Sequence, residues 1–486
     1  MISTMTKKGS DRTALLDQFG RLATDADAVE DAPLVFLPLP SHTLALRPEI
    51  VVIEGLRGAG KTALFHALRT LGKDVPAFFD DPTIPHADWL DAFSESRLHP
   101  NTAVLDEFVR ALDRGRDAQL RAFWVVHLLV RLEAENVAGA RLPEAIAQAR
   151  AEYPHELGRW LPVAEKHLGA AIAAIEQVDD VLERDRRYVF ASYDHLDRFA
   201  LLERDRTTRQ RLVRALLAFW LSASTRMKRL RAKIFLRPDL FDEAEKSFPD
   251  ASKLRPRAVS LEWSVEEVYR LAARHLANRG PHASEAREWL TKKAGVEFAE
   301  RRGFGLFPAR LPEAKQRELA RALAGEVMGT GIRKGYTHRW IPARLRDAGG
   351  RIVPRSLLRL LAFAARRALQ DPPRVGPLMD PSSLVGALDD TSRDRVNELQ
   401  EEYPFVARLE HLRGQTMLLE RGVVVAALGR PVVGVRDGFG TDGDAVFDEL
   451  RRIGVLEIRD DHRVDVPDIY RYGYGIKRKG GARRPR

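Results

Sequence analysis

Residues 51–68 read VVIEGLRGAGKTALFHAL. An apolar run ends in glycines, a lysine and a threonine, and then apolar residues return at helical spacing. The positions Gly55, Gly60, Lys61 and Thr62 fit the pattern G-x-x-x-x-G-K-[ST]. Each residue type has a physical reason. Glycines let successive backbone N–H groups line one concave nest, where a side chain would block an approaching phosphate. The helix that opens near Lys61 adds the positive end of its dipole. In such a loop the lysine reaches the β- and γ-phosphates, and the threonine hydroxyl ligates Mg²⁺. At average composition the four positions coincide in roughly one or two per cent of chains this long. Here they also follow a strand candidate and open a helix, as the chemistry requires. The stretch therefore predicts a nucleoside triphosphate site with ATP and Mg²⁺ as ligands. Gly55, Gly58, Gly60, Lys61, Thr62 and Ala63 would hold the nucleotide.

Working outward, short apolar strand candidates alternate with helical stretches: IVVIE (50–54), VPAFF (75–79), YVFASY (188–193), AKIFLR (232–237) and AVSLEW (258–263). That alternation predicts an α/β fold with a parallel sheet. Residues 88–186 are long for one crossover and read as amphipathic helices, expected here as a helical insertion. Residues 264–370 read as almost wholly helical, a lid-like region. There SVEE and SEAR open on capping serines. DPPRVGPLMDPSS (371–383) reads as a linker. Beyond it, a helix in DAVFDELRRIG precedes the hairpin VLEIRDDHRVDVP. The expected organisation is an N-terminal segment (1–48), a phosphate-loop domain (49–263), a helical lid (264–371), a small α+β domain (384–470) and a basic tail (471–486).

A phosphate loop needs a metal-positioning carboxylate at the end of a neighbouring strand. RRYVFASYDHLDRF supplies Asp194 there, with Asp197 three residues on. The metal set is then Thr62 and Asp194. In KIFLRPDLF, Arg237 ends the next strand, where it would face a γ-phosphate across the crevice at the strand ends. Arg255 and Arg257 precede the fifth strand; they are either an arginine finger acting across an oligomer or arginines at a strand start. KGYTHRW (334–340) either stacks on a base or forms a buried turn. The histidines show no i, i+4 pair with an acidic partner, as a zinc site would need.

GLRGAGKT, YDHLDR and FLRPD together resemble the AAA-like and STAND P-loop ATPases of bacteria, including relatives of the KAP and origin-recognition ATPases. GGRIVPRSLLRLLAFAARRA is similar to the segment in origin-recognition-type ATPases where a second sensor arginine opens a lid helix, a position that falls on Arg355. The helix and hairpin of 384–470 look like part of a winged-helix domain. The resemblance implies catalytic roles for Lys61, Asp194, Asp197, Arg237 and Arg355, and ATP-driven closure of the lid. It also implies an oligomer or protein partner, DNA as a partner of the C-terminal domain, and mobile-element or defence contexts. One departure stands out. The metal-binding aspartate of that group is followed by a second acid that polarises the attacking water, whereas Asp194 is followed by His195. The chain therefore reads either as an ATP-hydrolysing switch or as a non-hydrolysing ATP-binding interaction module.

Composition bounds these readings. The chain has 486 residues, 44% hydrophobic and 30% charged, enough for two or three globular domains. It has no cysteine, which excludes disulfides and thiolate metal sites and fits a reducing cytoplasm. The start MISTMTKKGSDR lacks an apolar signal core, and no apolar run reaches the roughly 18 residues of a membrane span. The expected location is cytoplasmic. The net charge is +10, and KRKGGARRPR at 477–486 carries six of its basic residues (Lys477, Arg478, Lys479, Arg483, Arg484 and Arg486) and no acid. Without it the body is only modestly basic. The tail either touches nucleic-acid phosphate or serves solubility.

Overall fold

A computed structural model of the chain describes residues 2–22, 32–100, 104, 117–154, 156–198, 206–245, 250–329, 331–373 and 375–478. They fall into two compact units. One comprises Pro38–Leu56 and Gly60–Leu261, the other Met1–Leu37, Arg57–Ala59 and Glu262–Arg486.

The first unit is built on a five-stranded sheet of β1 (Val52–Glu54), β2 (Ala87–Phe93), β3 (Tyr188–Tyr193), β4 (Leu230–Leu236) and β5 (Ala258–Ser260), in the order β2-β3-β4-β1-β5. All pairs are parallel, with Val52 beside both Ile234 and Ala258, and Ala191 beside Ala232. This is the α/β class expected. Central strands covered on both faces read as unbroken apolar runs, and all three residues of β1 are buried. The core continues into the helices Asp117–Ala134, Leu168–Arg184 and Arg206–Arg226, where Trp124 and Trp220 are fully buried.

Two sequence expectations fail here. VPAFF is not a strand but the short helix Val75–Phe79. A short apolar run fits either state by periodicity alone, and Pro76 in the first turn suits a helix start. The second strand is instead ADWLDAF, inside the stretch expected to be helical from residue 88. Asp88 and Asp91 break its apolar run, which hid it. The helices Asp117–Ala134, Glu144–Glu152, Leu157–Lys166 and Leu168–Arg184 then fill the interval before β3. The helix expected over residues 101–115 lies almost entirely outside the described residues.

The strand order positions a site. The chain leaves β1 toward β2 at one edge and leaves β4 across β1 to β5 at the other. Adjacent strands whose connections run in opposite directions open a crevice at their C-terminal ends, the usual ligand position in open α/β sheets. The phosphate loop follows β1, and Arg237 follows β4.

In the second unit, Ser264 caps the helix Val265–Asn278 in a reciprocal capping box with Glu267. The second expected serine cap is not one, because the helix Ala283–Ala294 begins after His282. The region expected to be helical also contains an antiparallel hairpin, Phe298–Arg301 with Gly305–Pro308. Pro354 occupies the first turn of the amphipathic helix Pro354–Gln370. The expected linker is pinned: Leu378 and Met379 are buried, and their N–H groups donate to the carbonyls of Ala322 and Leu323. The C-terminal hairpin forms as expected, Glu457–Ile458 against Val464–Asp465, after the helix Gly443–Arg452. Of the basic tail, Lys477 and Arg478 pair with Thr416 and Met417; residues 479–486 lie outside the described ones. Among the described residues no helix is long and apolar enough to cross a membrane.

Candidate nucleotide site

The phosphate loop is shaped by its glycines at two positions in particular. Gly58 has φ 82° and Gly60 has φ 96°, a region where a Cβ is strained. Gly60 is also the N-cap of the helix Lys61–Leu71, with Leu64 N–H donating to its carbonyl at 2.9 Å. Gly55 N–H donates to the Leu236 carbonyl of β4 at 3.0 Å, tying the loop's first residue to the neighbouring strand. Lys61 Nζ donates to the Gly55 carbonyl at 2.7 Å, so its ammonium is folded along its own loop. Thr62 and Ala63 are half-buried in the first helical turn.

At the end of β3, Asp194 is buried, and its N–H donates to the Phe93 carbonyl of β2 at 2.8 Å. Among the described residues its Oδ2 is buried without a hydrogen-bond partner and stands 3.6 Å from His195 Nδ1, which likewise has none among them. An orphaned carboxylate oxygen costs free energy unless something compensates it. A hard cation taking oxygen ligands would do so, so this carboxylate fits the expected Mg²⁺ role. His195 takes φ 58°, the left-handed region that histidine tolerates better than most residues.

Asp197 lies in a short 3-10 turn after β3, with Oδ2 3.8 Å from Arg237 Nη1. Burial acts to raise its carboxyl, but Arg237, Lys61 and His195 outweigh that and hold it below the ordinary range. Lys61, Asp197 and Arg237 thus share one electrostatic neighbourhood. Arg237 itself is buried and doubly paired with Asp239, Nε to Oδ1 at 3.0 Å and Nη2 to Oδ2 at 2.6 Å. Asp239 lies in KIFLRPDLF, where no spacing in the sequence marks it for a role.

The remaining candidates go elsewhere. Arg255 pairs with Glu54 at 3.3 Å and Asp242 at 2.7 Å, its guanidinium over the Phe241 ring. Arg257 Nη1 donates to Ser224 Oγ. Both groups are engaged within their own unit. In KGYTHRW, His338 and Trp340 are buried, as a packed turn requires. Arg355 belongs to the second unit, where its Nη1 lies 3.0 Å from Glu398 Oε1. The same unit holds Arg57–Ala59. There Arg395 donates to the Arg57 carbonyl at 3.0 Å and Trp263 Nε1 donates to the Ala59 carbonyl at 2.8 Å. A Cβ at Gly58 would lie 3.2 Å from Arg355 Cβ.

No protein-family model matches the chain, and no curated protein matches it. Solved structures resemble it loosely. The Aeropyrum pernix ORC1 protein in complex with DNA is 13% identical, covering 90% of this chain and 93% of that one at TM-score 0.35. The Aeropyrum pernix ORC2 protein, solved as ADPNP-ADP complexes, is 12% identical, covering 92% and 99% at TM-score 0.31. A Walker-type ATPase of Pyrococcus abyssi is 11% identical, covering 90% and 95% at TM-score 0.36. Overlaps this loose transfer no residue roles.

Proposed function

We propose that this chain binds ATP with Mg²⁺ and hydrolyses it as a conformational switch. The observation that carries this is the glycine-shaped loop Gly55–Thr62 at the crevice between β1 and β4, with Lys61, Asp197 and Arg237 in one electrostatic neighbourhood. Backbone N–H groups and Lys61 would hold the phosphates. Thr62 and Asp194 would hold the metal, which when bound neutralises charge on the β- and γ-oxygens. Arg237 would sense the γ-phosphate from the end of β4, and Arg355 from the start of its helix. The segments 264–371 and 384–470 would act as lid and winged-helix-like output domain, passing the change to DNA or to a protein partner, with a second copy of the chain as one such partner.

One observation supports the second reading, ATP binding without turnover. The place after Asp194 is taken by His195, held at positive φ with its Nδ1 toward that aspartate. A neutral imidazole can accept a proton, but it brings no negative charge to orient the attacking water as a second carboxylate would. For DNA, the charge distribution is selective. The helix Gly443–Arg452 exposes Asp444 and Asp448, and its exposed arginines, Arg451 and Arg452, sit in the last turn. Acidic residues near a helix start oppose base reading from that end, so the basic tail is the better phosphate contact. Calorimetric titration with ATP and ADP, together with phosphate release with and without duplex DNA, tests all of these. Absence of ATP binding overturns the proposal, and binding without phosphate release selects the second reading.

A further inference from the structure

Two carbonyls of the phosphate loop are held by side chains of the second unit, the unit to which Arg57–Ala59 belong. Arg395 Nη1 donates to the Arg57 carbonyl at 3.0 Å, and Trp263 Nε1 donates to the Ala59 carbonyl at 2.8 Å. Arg395 lies on the helix Pro381–Glu402 and is buried. The Arg57 side chain runs to the same helix, its Nη1 donating to the Glu398 carbonyl at 3.2 Å and its Nη2 to Glu401 Oε2 at 2.6 Å. Trp263 stands just before Ser264, the N-cap of the helix Val265–Asn278, so the capping box fixes the backbone beside it. In a planar trans peptide the C=O and N–H point to opposite sides. The Arg57 carbonyl shares its peptide with Gly58 N–H, and the Ala59 carbonyl with Gly60 N–H. Holding the two carbonyls therefore fixes the direction of both N–H groups, which the freedom of glycine would otherwise leave open. Among the described residues neither N–H meets an acceptor.

We propose that Arg395 and Trp263 are positioning residues for the phosphate nest: by holding the carbonyls of Arg57 and Ala59 they turn the N–H groups of Gly58 and Gly60 toward the phosphates of a bound nucleotide. This rests on the ATP reading of the site. The two side chains act through the loop backbone and touch no phosphate themselves. An arginine buried for stability alone would direct its donors to carboxylates, the stronger partners. Here Nη1 lies nearer the loop carbonyl, at 3.0 Å, than Glu398 Oε2, at 3.5 Å. Backbone N–H groups of such a loop cradle the α- and β-phosphates, whereas the lysine reaches on to the γ-phosphate. ATP and ADP share the first two, so releasing a carbonyl weakens both alike. A γ-phosphate sensor differs, because its loss is felt by ATP more than by ADP.

The test is calorimetric affinity for Mg-ATP and Mg-ADP on the full chain, at a temperature where thermal melts show the variants folded. Arg395→Met keeps an apolar stem and removes the donors. It should weaken both nucleotides about tenfold, the scale of one hydrogen bond to a charged group. Arg395→Lys returns a donor and should recover most of that loss. Trp263→Phe removes the indole N–H, keeps an aromatic ring, and should weaken both nucleotides several-fold. The inference is overturned if folded Arg395→Met or Trp263→Phe binds both nucleotides as wild type does, or loses ATP affinity more than ADP affinity. It is equally overturned if Arg395→Lys binds as poorly as Arg395→Met. Where Arg395→Met fails to fold, Trp263→Phe decides the matter alone. Lys61→Ala separates the two levels. If wild type binds ATP and this variant does not, the site reading holds and the Arg395 and Trp263 variants judge the inference alone. If wild type binds neither nucleotide, the site reading falls and the inference with it.

Discussion

His99 Nδ1 and His127 Nε2 stand 3.0 Å apart in the core of the sheet unit, and His99 Nε2 stands 2.9 Å from Asp91 Oδ1. Asp91, within β2, also accepts from Ser94 Oγ at 2.8 Å and pairs with Arg69 at 2.9 Å. His99 Nε2 faces the Asp91 carboxylate, which can only accept. His99 Nδ1 and His127 Nε2 share one proton between them. The His127 ring is stacked on Phe123. Burial, and after it the charges of His99, Arg150 and Arg131, hold this imidazole well below its ordinary value of 6.5.

That arrangement sets a pH dependence. The unfolded chain gains a proton on this residue as pH falls through 6.5, and the folded chain does not, so stability is lost on acidification. The slope is at most about 1.4 kcal/mol per pH unit for one proton. His275, in the other unit, is pushed down to about 3 by burial and then by Arg279 and Arg274, and acts in the same direction. Urea unfolding at pH 7 and pH 5 should show a clear loss in wild type and a smaller one in His127→Gln. An equal loss in both would remove His127 as the source.

Lys61→Ala should abolish ATP binding and leave the fold intact. The side chain is half-buried and its described hydrogen bonds run to carbonyls of its own loop, Gly55 and Leu56. Its removal takes away the phosphate-facing charge and no core packing. Calorimetry and a thermal melt together check this; unchanged affinity would refute the role.

Asp194→Asn should spare most nucleotide affinity and remove Mg²⁺-dependent turnover, because an amide replaces the charged oxygen that lacks a hydrogen-bond partner among the described residues. Phosphate release at saturating ATP, with Mg²⁺ and with chelator, is the measurement. Turnover at the wild-type rate would place the metal elsewhere.

What the sequence revealed, and what it hid, follows from the range of the interactions. The loop Gly55–Thr62, the capping box at Ser264 and the strands β1, β3 and β4 are local patterns and were legible. β2 was not, because Asp91 reads as a solvent-facing acid. Its burial makes sense only beside His99, eight residues on, and Arg69 of the helix Lys61–Leu71. His99 and His127 are 28 residues apart, and no spacing rule joins them. Arg237 was legible from its place at a strand end. Its pairing with Asp239 was not, because the Arg-Pro-Asp geometry that aligns the two appears only in the folded turn.

Glu398 makes the last case. Its carboxylate is shared by three arginines: Arg355 at 3.0 Å, Arg359 at 2.8 Å and Arg395 at 3.5 Å. Burial acts to raise it, and Arg355, Arg359 and Arg395 together hold it below its ordinary value of 4.5. A depressed carboxyl contributes stability that is present above 4.5 and lost as pH falls below it. Glu398→Gln should therefore cost about 3 kcal/mol at pH 7, the scale for breaking a buried ion pair, and much less near pH 3. The same variant releases Arg355. If Arg355 senses the γ-phosphate, Arg355→Ala should weaken ATP more than ADP, because a ligand with equal affinity for both states shifts nothing. Glu398→Gln should strengthen ATP relative to ADP, because the arginine no longer has a resting partner. Paired affinities for both nucleotides in the two variants decide it. Equal losses in Arg355→Ala, or an unchanged ratio in Glu398→Gln, would leave the cluster a structural tie and Arg355 no sensor.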